Sequence, residues 1–89
     1  MLRITENIEN DKTIRLRLDG TITPESFEDL EKACIDRQDR QRIILDMAGV
    51  NFMHAESARK LAGLRGDSLR IINCSPFIAT LLDTIAKLD

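Results

Sequence analysis

Apolar and polar positions alternate with period two in two short runs near the start of the chain. Leu2-Arg3-Ile4-Thr5 is the first, and Ile14-Arg15-Leu16-Arg17-Leu18 is the second and clearer one. Such alternation predicts strands with one covered and one polar face, here with Arg15 and Arg17 outward. Glu9, Asn10, Asp11 and Lys12 between them supply turn chemistry, so a hairpin is expected. Asp19-Gly20 is expected to end the second strand. The period then lengthens. Thr23-Pro24-Glu25 is a helix start, with a side-chain acceptor at the cap, proline at the first helical position and an acid in the first turn. Phe27, Leu30, Ala33 and Cys34 follow as a narrow apolar stripe, with Glu28, Asp29, Glu31 and Lys32 on the other faces. Residues 36–40 are a charge-rich exit from this helix.

The most informative stretch is 43–61, IILDMAGVNFMHAESARKL. Ile43, Ile44 and Leu45 form a short apolar run of the kind expected of a strand covered on both faces. Asp46 is expected to end it, Gly49 to permit a turn closed to most residues, and Val50, Phe52 and Met53 to return to the core. His54, Glu56 and Ser57 then open a helix whose inward positions are Ala58, Leu61, Ala62 and Leu64, with Arg59 and Lys60 pointing away. Gly63 and Gly66 predict an early end for that helix. Leu69-Arg70-Ile71-Ile72 is the last strand. Ser75-Pro76 caps a third helix with a broad stripe of Phe77, Ile78, Leu81, Leu82, Ile85 and Leu88. The order is β-β-α-β-α-β-α, an α/β pattern, and in such folds binding groups collect at the carboxyl ends of the strands.

Composition narrows the function. The 89 residues make one domain near the low end for a self-sufficient core. A net charge of −2, with three Phe and no Tyr or Trp, offers neither a basic face nor a stacking platform for nucleic acid. Cys34 and Cys74 form neither a disulfide framework nor a metal spacing and read as small apolar side chains in a reducing compartment. The first residues lack the apolar run of a signal peptide, and no stretch approaches a membrane span, so a cytoplasmic location is expected.

No catalytic constellation is visible, and no cofactor or resident metal is expected. The single His54 has no adjacent Cys or Ser that would define a nucleophile, and one histidine falls short of a zinc ligand set. Neither a phosphate-binding P-loop nor a dinucleotide-binding glycine pattern occurs. One chemical alternative stays open: His54, Glu56 and Asp46 lie near one sheet edge and could gather as a metal or acid/base cluster.

The stretch that begins with the central strand resembles the core of the STAS family, the sulfate-transporter and anti-sigma-factor-antagonist domain. That family carries an apolar strand, Asp-x-Ser-Gly-Val, an aromatic-aliphatic pair, then Asp-Ser-Ser/Thr-Gly opening a helix. Asp46, Gly49, Val50, Phe52 and Met53 match by position, and His54, Ala55, Glu56 and Ser57 stand where the family has Asp, Ser, the phosphorylated Ser/Thr and Gly. Gly20-Thr21-Ile22-Thr23 and Asn73-Cys74-Ser75-Pro76 are similar to the corresponding junctions. The resemblance covers roughly residues 10–83. Against the full family pattern the second helix is about two turns short, and a final strand and helix are missing.

The resemblance implies a STAS-like fold for residues 1–89 as a single domain shortened at its C-terminus: a mixed sheet with helices packed mainly on one side. It implies a non-enzymatic protein–protein interaction module of the bacterial anti-sigma-factor-antagonist type, acting in transcription control. Its partner would be a kinase-type anti-sigma factor, docked on the edge spanning residues 46–64. The partner-binding or switch residues carried over are Asp46, Gly49, His54, Ala55, Glu56 and Ser57. Glu56 cannot take phosphate as Ser/Thr does, so it is either a fixed partial mimic of the modified state or an acid suited to a helix start. Ser57 is the candidate phosphosite one residue later. Two other readings stay open: a small cytoplasmic STAS subunit of an ABC-type transporter, and a ligand- or metal-binding protein using His54 and Glu56. The third helix, with its wide stripe, is a candidate homodimer surface. Membrane insertion is not expected.

Overall fold

The structure is a computed structural model that describes residues 2–38, 41–64, 66 and 68–88. Its elements are β1 (Leu2–Asn10), β2 (Thr13–Ile22), α1 (Pro24–Gln38), β3 (Arg42–Met53), α2 (Ala55–Leu64), β4 (Leu69–Ile72) and α3 (Pro76–Leu88). The order is the one the periodicity predicts. The strands form one mixed sheet in spatial order β1-β2-β3-β4. β1 and β2 are an antiparallel hairpin, and β2, β3 and β4 run parallel, joined through α1 and α2. The hairpin turns tightly because the Asn10 side chain accepts the Lys12 amide at 2.8 Å.

Burial follows the alternation. Ile14, Leu16, Leu18, Ile43, Leu45, Met47 and Leu69 line the covered face of the sheet, where they meet Phe27, Leu30 and Cys34 of α1, Leu61 of α2, and Ile78, Leu82 and Ile85 of α3. The opposite face has no helix among the described residues. Pairing register puts Arg15 beside Ile44 and Arg17 beside Asp46 there, followed by Arg70 and Ile72 on β4. An apolar face of this size is the main stabilising term, since each buried large aliphatic or aromatic side chain contributes roughly 1.5–3 kcal/mol.

Helix starts are built as predicted. At α1, Thr23 Oγ1 accepts the Ser26 amide at 3.1 Å while Ser26 Oγ accepts the Thr23 amide at 2.8 Å, a reciprocal cap. At α3, Ser75 Oγ accepts the Ile78 amide at 3.3 Å, with Pro76 at the first helical position. The charged segment after the first helix is partly helical, because α1 continues to Gln38; Asp39 and Arg40 lie outside the described residues.

Four local expectations are corrected. Asp46 does not end the central strand and Gly49 does not form a turn: β3 continues for 12 residues to Met53, and β2 likewise runs past Asp19-Gly20 to Ile22. The strands stay paired by taking up extra residues. Arg17 pairs with Asp46 but Asp19 with Gly49, and Gly20 pairs with Val50 but Thr21 with Phe52, so β3 is one residue longer than β2 at each step. These are β-bulges, and each resets which face the following residues point to. The first lets Val50 point into the core. The second, at Asn51, turns Phe52 outward and Met53 inward. Phe52, expected in the core, is therefore 44% exposed.

Glycine is needed at two points for different reasons. Gly20 has φ 111°, a backbone that side chains disfavour. Gly49 is a close-approach position: a Cβ there would overlap the Asp19 carboxylate and sit 2.8 Å from the Leu18 carbonyl oxygen.

Candidate functional site

The carboxyl edge of the sheet is assembled from three chain segments. The end of β3 delivers Asn51, Phe52 and His54, the end of β2 delivers Thr21, and the β4–α3 junction delivers Asn73 and Phe77. The His54 amide donates to the Ile22 carbonyl at 3.0 Å, and Thr21 Oγ1 donates to Asn51 Oδ1 at 3.1 Å. These bonds hold the start of α2 against the end of β2. His54 also caps α2 with its backbone, its carbonyl accepting the Ala58 amide at 2.9 Å.

The residues singled out from the sequence divide into two groups. His54, Ala55 and Glu56 are exposed at the first turn of α2. Asp46, Gly49 and Ser57 lie further in. Asp46 is 8% exposed, and its Oδ1 accepts the Ala48 amide at 3.0 Å and the Asn73 Nδ2 at 3.1 Å. The first bond satisfies an amide displaced by the bulge. The second ties β3 to a junction residue in the left-handed region, Asn73, with φ 58°. The two hydrogen bonds, the Ala48 amide first, hold the Asp46 carboxyl below its usual range. Arg15 and Arg17 add to the lowering, and burial opposes it. Asp46 is a clamp that shapes the edge from beneath.

Ser57 is fully buried, and its Oγ has no hydrogen-bond partner. On the third helical residue the side chain points down onto the core beside Ala58, so the hydroxyl is not presented to a kinase in this conformation. Glu56, one residue earlier, points to solvent. Helix geometry explains the split, since a step of about 100° separates neighbours.

Two residues of the edge escaped the sequence reading. Phe52 packs on Phe77 with ring centroids 6.0 Å apart and planes 18° apart, and it meets His54 edge-on at 5.3 Å. Phe77 is 54% exposed. The edge therefore carries an exposed aromatic pair in contact with His54, at the start of the helix that bears the exposed Glu56. The rest of the α3 stripe is largely spent within the domain: Ile78, Leu82 and Ile85 are buried and Leu81 is half-buried. Neither aromatic residue announces itself in sequence, because an apolar residue in a strand or helix stripe reads as core.

Among the described residues no three His, Cys, Asp or Glu side chains come together as a metal-holding group, so Asp46, His54 and Glu56 do not form one cluster. Cys34 is buried, Cys74 is half-buried, and neither is in a disulfide. No helix among the described residues is long and apolar enough to cross a membrane.

No family model matches the sequence, and no curated protein matches it. Solved structures do. The anti-sigma factor antagonist SpoIIAA, in its unphosphorylated form, is similar with a TM-score of 0.71 and 18% identity, over 94% of this chain and 81% of that one. An antisigma-factor antagonist STAS domain from Rhodobacter sphaeroides is similar with a TM-score of 0.63 and 20% identity, over 81% of this chain and 86% of that one. A part of Mglu gives a TM-score of 0.51 and 25% identity, over 75% of this chain and 18% of that one. The chain has the fold of the anti-sigma-factor-antagonist STAS domains.

Proposed function

We propose that this chain is a non-enzymatic interaction module of the anti-sigma-factor-antagonist type, with a fixed charge where such modules carry a switch. The observation that carries this reading is Glu56. On a STAS fold it occupies the position expected of the phosphorylated Ser/Thr, it is exposed, and it lies two residues after His54, whose ring meets the exposed Phe52–Phe77 pair. Exposed aromatic side chains of this kind are enriched at protein–protein interfaces. Phosphate would place roughly −1.5 to −2 charge at this point, whereas glutamate holds −1 permanently. Ser57 does not replace the acceptor, because its hydroxyl is buried. The module thus docks a regulatory protein in the cytoplasm through its α2 edge and is not released by phosphorylation there.

The test is a pull-down from native lysate with wild type, Glu56→Ser and Glu56→Ala, read by mass spectrometry, followed by incubation with ATP. Support would be capture of a kinase-type ATPase whose recovery changes at least about fivefold with residue 56, and which labels Glu56→Ser but not wild type. Capture that ignores residue 56, or of transporter subunits in its place, would overturn the antagonist reading.

A further inference from the structure

The opposite end of the sheet holds a cleft that the interaction edge does not use. It has a volume of about 620 Å³, and its lining includes Thr13, Arg42, Ile44, Gly66, Ser68 and Arg70. That volume lies within the range of small-molecule sites, roughly 300–1,000 Å³. The cleft lies where β4 starts late: the Ile43 amide donates to the Ser68 carbonyl at 2.7 Å, and Gly66 bridges Leu69, so Gly66 and Ser68 stand beside the open face.

Charge on that face is unevenly matched. Near β1 the arginines have acids: Arg15 Nε lies 3.2 Å from Glu9 Oε1, an ion pair without an aligned hydrogen bond, and Arg17 Nε lies 3.4 Å from Asp19 Oδ1. Arg42 and Arg70 form no ion pair or side-chain hydrogen bond among the described residues, and both are exposed. Register brings them together. Arg70 pairs with Ile44, and Arg42 is two residues before Ile44 on the same face of β3. Strand spacings of about 4.8 Å across and 6.7 Å along put their Cα atoms on the order of 8 Å apart. Two arginines on neighbouring strands at that Cα spacing are within side-chain reach of one anion, each offering a planar fork of donors. The Thr13 and Ser68 hydroxyls add neutral donors, and Ile44 lies between the arginines as an apolar floor.

We propose that this cleft binds a small, multiply charged oxyanion, a phosphate- or carboxylate-bearing molecule, gripped jointly by Arg42 and Arg70. It lies roughly 30 Å along β3 from the Glu56 edge, so the proposal stands whether or not the docking reading does.

The experiment is a titration of the full isotope-labelled chain with pyrophosphate in one arm and succinate in the other, at constant ionic strength set with chloride. Amide shifts at Thr13, Ile44, Gly66 and Ser68 are followed up to about 10 mM ligand. Saturable shifts confined to those positions are expected in at least one arm, and the arm that saturates names the source. Arg42→Ala and Arg70→Ala should each weaken binding at least about tenfold, while Arg59→Ala on the far helix leaves it unchanged. Absence of saturation in both arms, equal shifts with added chloride, or unchanged affinity in both cleft variants would overturn the proposal. Both replaced side chains are exposed, so unchanged thermal unfolding will show that loss of binding is not loss of fold.

Discussion

Replacing Asp46 with alanine removes the single acceptor shared by the Ala48 amide and the Asn73 side chain. Hydrogen bonds to a charged acceptor contribute roughly 1.5–3 kcal/mol each. Ala48 and Asn73 are both exposed, so water takes over their donors once the carboxylate is gone, which puts each share at the low end. The expected cost of Asp46→Ala is therefore about 2–3 kcal/mol, a large part of the roughly 5–15 kcal/mol available to a small domain. Asp46→Asn keeps an oxygen in place without the charge and should cost about half as much.

The pH dependence follows from the lowered carboxyl pKa. A carboxylate that ionises more readily folded than unfolded contributes stability that is fully present above its unfolded value, about 3.9. That contribution is lost as pH falls through the lower, folded value. The gap between wild type and Asp46→Ala should thus be widest near neutrality and close progressively below about pH 4. The assay is urea unfolding followed by far-ultraviolet circular dichroism, since the chain has no Trp or Tyr to report by fluorescence. A variant within about 0.5 kcal/mol of wild type at pH 7, or a gap unchanged from pH 7 to pH 3, would refute the clamp.

Two further substitutions test the packing around the edge. Ser57→Ala removes a buried hydroxyl that has no partner, and it should leave stability unchanged or raise it by up to about 1 kcal/mol; a loss of that size in thermal unfolding would show that the hydroxyl is bonded. Gly49→Ala drives a Cβ against the Asp19 carboxylate and the Leu18 carbonyl and should cost about 1–3 kcal/mol, most of it recoverable by no change at Asp19 alone, because the Leu18 contact is backbone. Full rescue by Asp19→Ala in the same melt would contradict that account.

The sequence showed most where one local rule governs one element. The alternation of residues 14–18 placed β2, and Thr23-Pro24 and Ser75-Pro76 placed the helix starts, because a cap or a strand face involves only near neighbours. It failed where a distant strand decided. Asp46, Gly49 and Gly20 are residues that usually end strands, and in isolation they read as ends. The parallel pairing of β2 with β3, across the whole of α1, keeps them extended and absorbs the mismatch as bulges. Phe52 was misplaced for the same reason, since counting by twos from Val50 puts it inside and only the extra residue at Asn51 turns it out. At the site, the first turn of α2 was correctly located, but its division into an exposed Glu56 and a buried Ser57 depends on helix phase against the core. Arg42 and Arg70 are 28 positions apart in the chain, and only strand register makes them neighbours.

The two added residues in β3 also bear on how such a domain diversifies. An uninterrupted strand transmits any change of parity along its full length, so a one-residue insertion at one end would turn the whole apolar set out of the core. In β3 the phase is reset at Ala48 and again at Asn51. The facing of the first segment and that of the segment carrying Phe52 and His54 are thereby uncoupled, like two words separated by a space. Substitutions at its outward positions, Asn51, Phe52 and His54, can then change the surface of this edge while Ile43, Leu45, Met47, Val50 and Met53 keep their places.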